Sequence, residues 1–227
     1  VNLTVVNGTL SISDAAATTA LDITVKGDVV VAALGKIATG NANARHQLNL
    51  YGNFTNSGEV CFTNRTAASY IAEATDGIVD VNFLNTAASQ SVLCKGLTNF
   101  YRIEVDKGTD NTFTLNLDAT APANFNLFGY ANEDHAPVAQ LTANNNALGL
   151  IRGTVRIGNS IVIPTLSTAN RYNISEAAQL WVNGGTVQKN SGQTIAVYGK
   201  LKATTGLLEA KIQNGITLCS NGSLNVE

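Results

Sequence analysis

The sequence predicts an all-β chain wound as a right-handed parallel β-helix, a solenoid of short stacked strands. Three observations point there. Apolar and polar residues alternate in short pieces along the whole chain. A Gly sits inside many of these pieces, with apolar residues on the same face before and after it. Helices long enough to connect parallel strands as βαβ units are missing. Asp14 to Leu21 is Ala-rich but also Thr-rich and short, and Ser175 to Leu180 is shorter still.

Alternation with period two marks strands with one buried face. Ile23, Val25, Val29 and Val31 share a face across Gly27. Leu48, Leu50 and Phe54 do so across Gly52, and Ile151, Val155 and Ile157 across Gly153. Ile195, Val197, Leu201 and Ala203 follow across Gly199, and Ile216, Leu218, Leu224 and Val226 across Gly222. The same unit runs from Leu3 to Leu10 with one extra residue, and from Leu180 to Val187 with a doubled Gly. A residue without Cβ bends cheaply, so each Gly reads as a corner. Gly-to-Gly distances of 19, 25 and 23 residues indicate a solenoid with loops of unequal length. At roughly 20–25 residues per coil the chain makes about nine to eleven coils and a rod about 45 Å long. A β-sandwich is the alternative, because Asn-Gly pairs at Asn7, Asn183, Asn214 and Asn221 suit hairpins. A Gly inside an alternating pattern favours a corner over a reversal. Residues 119–146 carry Pro122, Pro137 and Asn144-Asn145-Asn146. They read as a loop insertion, or as a break between coils 1–118 and 147–227 of one segment.

Composition excludes several classes. The 227 residues carry 14 Lys+Arg against 16 Asp+Glu, with no basic block, which argues against nucleic acid as a partner. With 44% hydrophobic residues and 13% charged ones the chain is too apolar for disorder. No apolar run approaches the 18 residues of a membrane-spanning helix. The abundance of Asn (27) and Thr (25) suits a solenoid, Asn at left-handed corners and Thr at outward strand positions. The chain opens on Val1 without a charged start and contains no Met, and reads as a mature or excised piece of a longer polypeptide. Cys61, Cys94 and Cys219 have no metal or redox spacing and read as three small core residues.

Two stretches carry a resemblance. One is Asn82-Phe-Leu-Asn, Ser89-Gln-Ser-Val-Leu and Leu97-Thr-Asn-Phe-Tyr-Arg-Ile-Glu-Val105. The other runs through Leu180-Trp-Val-Asn-Gly-Gly-Thr-Val187, Ile195-Ala-Val-Tyr-Gly-Lys-Leu201, Asn214-Gly-Ile-Thr-Leu218 and Gly222-Ser-Leu-Asn-Val226. Their cadence resembles that of large Bacteroidetes-type cell-surface β-helical repeat proteins. The resemblance implies an exported, extracellular stalk or adhesin segment with no catalytic signature. Flanking coils or capping domains of the same polypeptide would then be its partners, with surface polysaccharide or an export or anchoring complex beside them.

Phosphate loops, nucleophile elbows and dinucleotide fingerprints are absent from the sequence. His46 and His135 are isolated and read as polar surface. Parallel β-helices also carry polysaccharide lyases and glycosidases, so the acids matter. Asp76 and Asp80 fall at a turn and a strand start. Asp106-Lys-Gly-Thr-Asp110 reads as a tight turn, with Ca2+ at Asp106 and Asp110 the metal candidate. Glu133, Asp134 and His135 form the best enzymatic candidate, on the irregular stretch. Aromatic side chains offer a second route to carbohydrate. Trp181 alternates against Leu180 and Val182, and Tyr198 against Val197, so both face outward about one coil apart and form a candidate glycan-binding stack. The expectation is a non-catalytic surface stalk or adhesive segment. A polysaccharide-degrading enzyme and a passenger of a secretion machine are the alternatives.

Overall fold

A computed structural model describes residues 1–12, 19–40, 44–63, 77–129, 147–167, 171–190, 192–212 and 215–227. The winding is visible in the strand order. The first level holds β1 (Leu3–Ser11), and the second β2 (Asp22–Val25) and β3 (Val29–Ala38). Then come β4 (Arg45–Leu50), β5 (Phe54–Asn56) and β6 (Glu59–Cys61). The next level is β7 (Ile78–Phe83), β8 (Gln90–Cys94) and β9 (Thr98–Phe100), followed by β10 (Arg102–Asp106), β11 (Thr114–Ala119) and β12 (Phe125–Leu127). β13 (Leu148–Ile157) and β14 (Val162–Ile163) make the sixth level, β15 (Tyr172–Ile174) and β16 (Ala178–Lys189) the seventh. β17 (Ile195–Val197) with β18 (Lys200–Ala210), and β19 (Ile216–Leu218) with β20 (Ser223–Val226), close the series.

Each strand pairs with its counterpart one turn on, and every ladder between these strands is parallel. That excludes the antiparallel sandwich and makes the chain a parallel β-solenoid. One face runs through nine levels from β1 to β20, and the winding amounts to about seven turns. The expected nine to eleven coils overestimate this, because two steps are long. Bonded neighbours on successive levels are usually 21, 25 or 26 residues apart. Ser91 and Asn53 are 38 apart, across residues 64–76, and the step from Leu117 to Ile157 is similarly long, across 130–146. From Ala119 the chain stays in the coil, through a 3-10 turn at Pro122–Asn124 and then β12, which pairs with β9.

Parallel register stacks like on like. One inward column runs Leu3, Val29, Phe54, Val92, Leu117, Ile157, Val182, Ala203 and Val226, through all nine levels. Phe54 of this column joins Phe62, Phe100 and Phe125 in a chain of rings with centroids 5.5 to 6.0 Å apart. Each such buried side chain contributes about 1.5–3 kcal/mol. One polar residue of this interior, Asn56, is fully bonded. Its amide donates to Leu97 O (2.9 Å) and Thr98 Oγ1 (2.8 Å), and its oxygen accepts from Gly58 N (2.8 Å).

Corners are where the sequence reading is refined. At Gly153, with φ of 94°, the inward set changes phase: Leu148 and Leu150 are buried before it, Val155 and Ile157 after it. Ile151, assigned inward on alternation, is therefore half-buried. Gly8 pairs with Gly35, and Gly58 and Gly96 extend that column, while Gly158, Gly185 and Gly206 form another. The reason is close approach more than backbone freedom. A Cβ on Gly58 would collide with the carbonyls of Gly35 and Ala32 on the turn beneath.

Three further expectations change. His46 lies in β4 fully buried, not on a surface loop; Leu21 N donates to its Nδ1 at 3.0 Å, and burial lowers its pKa. Of the cysteines only Cys94 is buried, its thiol pushed up to about 12 by burial. Cys61 and Cys219 are half-buried, and all three are free thiols.

The glycine columns make a measurable prediction. Gly58→Ala should lower the unfolding free energy by about 3 kcal/mol, because backbone of the next turn must move. Gly8→Ala, which meets nothing within 4 Å, should cost only about 1–2 kcal/mol for its left-handed backbone. Urea denaturation of both variants checks this; equal losses would show that close stacking is not what selects glycine.

Candidate functional site

The outward column beside the oily one runs Asn2, Asp28, Asn53 and Ser91, joined by hydrogen bonds, and then in ladder register Asn116, Arg156, Trp181, Lys202 and Asn225. Its first levels bond to one another. Asp28 N donates to Asn2 Oδ1 (3.0 Å), Asn53 N to Asp28 Oδ1 (2.7 Å), and Ser91 N to Asn53 Oδ1 (2.9 Å). Its later levels replace amides with an aromatic between two cations. Trp181 is half-buried, its Nε1 donates to Thr204 Oγ1 (2.7 Å), and Lys202 Nζ stands 5.2 Å from its ring centre. Arg156, its neighbour on the preceding turn, donates to Asp118 (2.9 Å).

Tyr198 does not stack on Trp181. In register the partner of Trp181 on the next turn is Lys202, and Tyr198 belongs to the corner before β18, with Arg171 6.0 Å from its ring centre. Alternation identified the outward face correctly but not the column. Both residues nevertheless lie on consecutive turns beside a second outward column, Thr114, Thr154, Gln179, Lys200 and Ser223.

The turn between β10 and β11 leans onto that second column. Thr154 Oγ1 donates to Asn111 O (2.7 Å), and Asn111 Nδ2 donates to Gln179 Oε1 (3.2 Å). The turn is anchored from below by Lys107, which is fully buried. Its Nζ donates to Gln90 Oε1 (2.6 Å) and Asn85 O (3.1 Å), and Gln90 Nε2 in turn donates to Gly52 O. Burial lowers the Lys107 pKa to about 8. Asp106 and Asp110 flank this turn. Both Asp106 oxygens accept from Arg152, at 2.5 and 2.8 Å, so that carboxylate is already paired with a guanidinium. Asp110 is exposed and accepts from Thr112 N (2.8 Å), which lowers its pKa. Among the described residues no three His, Cys, Asp or Glu side chains are placed to hold a metal. A depression of about 490 Å³ opens at this turn, bordered by Thr86, Thr109, Asp110, Phe113 and Arg152.

A second cluster went unread in the sequence. β4, β7 and β10 carry Arg45, Asp80, Arg102 and Glu104 outward on neighbouring turns. Arg45 Nε donates to Asp80 (2.7 Å) and Arg102 Nη2 to Glu104 (2.7 Å). Asp80, Arg102 and Glu104 are only 1–2% exposed. Burial raises the pKa of both acids, opposed by the guanidiniums. Asp80 is thus a mid-strand residue rather than the strand start that sequence suggested. The signal was present: Val79-Asp-Val81 and Ile103-Glu-Val105 put both acids on the polar phase. Glu133, Asp134 and His135 lie outside the described residues, as do Asp76 and His135's neighbours in 130–146.

No family model, curated protein or solved structure matches the chain significantly.

Lys107 sets a pH test. A lysine with a folded pKa near 8 against an ordinary 10.5 penalises folding while charged, and the penalty is lifted as pH rises from about 8 to 10.5. The stability of the wild type relative to Lys107→Met should therefore improve over that interval. Chemical denaturation of both proteins at pH 7.5 and pH 10 measures it, and an unchanged difference would mean the amine is solvated.

Proposed function

We propose that the chain is a non-catalytic segment of an exported surface protein, acting as a rigid stalk whose polar face binds glycans weakly and at several points. The observation that carries this reading is Trp181, held half-buried on an outward column by Thr204 and Lys202. A tryptophan so placed offers a flat apolar face rimmed by hydrogen-bonding groups, which suits a pyranose ring. The solenoid supplies rigidity, since each level is bonded to the next through parallel ladders. Weak contacts repeated along a rod gain avidity without any strong single site. The resemblance of the repeat cadence to Bacteroidetes-type surface proteins supports the extracellular setting. Leu224 and Val226 stand in inward columns at 42% and 71% exposure, and a further turn or cap of the same polypeptide would cover them.

The enzymatic alternative draws on Asp80 and Glu104, two acids on adjacent turns. Their burial and their ion pairs weigh against it, because a glycosidase needs both carboxyls at the substrate. Glycan-array binding followed by titration tests the reading. Trp181→Ala should weaken binding about tenfold with the β-sheet circular dichroism of the folded chain retained. Turnover in a polysaccharide-cleavage screen, or glycan binding indifferent to Trp181, would overturn it.

A further inference from the structure

The depression at the β10–β11 turn is built from groups that the fold leaves available. Arg152 commits Nε and Nη2 to Asp106, and its Nη1 makes no bond among the described residues. The pair fixes the guanidinium in orientation and cancels its charge. Asp110 accepts from Thr112 N through Oδ1, and its carboxylate is otherwise exposed. Thr86 and Thr109 add exposed hydroxyls. Phe113 supplies the apolar wall. Its ring lies against Gly108, where a Cβ would collide with it, and Gly108 has a φ of 65° that favours glycine. A planar donor, a carboxylate acceptor, hydroxyls and one ring around a depression of about 490 Å³ match the chemistry of a sugar.

We propose that this depression is a subsite for one unit of a neutral glycan, with Phe113 against the ring's C–H face and Asp110 and Arg152 bonded to neighbouring hydroxyls. This rests on the glycan-binding reading above and names the ligand class. The charge distribution selects neutral over acidic sugars. The Arg152 charge is offset by Asp106, and the exposed Asp110 would repel a uronate or sulfate. The position also fits a longer chain. Asn111 ties the turn to Gln179, and Trp181 lies two residues further along β16, roughly 7 Å away at strand rise. A glycan seated at Phe113 would extend along β16 towards Trp181.

Calorimetric titration of the whole chain tests this with neutral cello-, manno- and galacto-oligosaccharides, and with an oligogalacturonate as the acidic counterpart. Asp110→Asn and Phe113→Ala should each weaken neutral binding about tenfold or more, and the exposed Asp110→Asn variant should do so with its unfolding midpoint unchanged. Binding lost with Trp181→Ala but kept in both turn variants would overturn the subsite and leave the glycan reading standing. Preference for the oligogalacturonate would overturn the neutral class. Absence of binding to every sugar would overturn both the subsite and the glycan reading.

Discussion

Parallel stacking in register governs this protein. Each residue meets the residue in the same position on the next turn, about 4.8 Å away, so every column must be compatible with itself. Oily residues fill inward columns, amides and hydroxyls fill the outward ones, and glycine fills corners where turns touch backbone to backbone. The column from Leu3 to Val226 is the clearest case, apolar at all nine levels. The Asn2–Asp28–Asn53–Ser91 ladder is its polar counterpart. An amide serves well there because it donates and accepts at once.

Among the described residues, the buried charges of Asp80, Glu104 and Lys107 are either paired or hydrogen-bonded. Asp80, Glu104 and Asp106 each receive a guanidinium. Lys107 is fully buried but reaches a glutamine oxygen and a backbone carbonyl. Removing one member of such a pair costs more than the pair contributes, since a buried charge is left behind. Asp80, Glu104 and Asp106, acids that alternation places on the polar phase, are engaged by guanidinium groups within the coil wall.

The turn at residues 107–113 connects these themes. Its base is a buried lysine, its side is an aspartate–arginine pair, and its tip rests on Thr154 and Gln179. A loop fixed on three sides presents Asp110 and Phe113 in a defined geometry. Such pre-organisation would spare a ligand at this turn a large ordering cost.

Fold class and the inward residues of most strands were legible in the sequence, because period-two alternation depends only on which side of a strand faces oil. The outward direction of Trp181 followed from the same rule. What only the tertiary structure decided is which residues share a column. That depends on the length of each turn, and the long steps across 64–76 and 130–146 cannot be read from local pattern. So the register places Lys202, not Tyr198, on Trp181, brings Arg152 to Asp106, and assembles Asp80 with Arg102 from strands a full turn apart. Alternation tells each residue its side of the wall; winding alone chooses its neighbours.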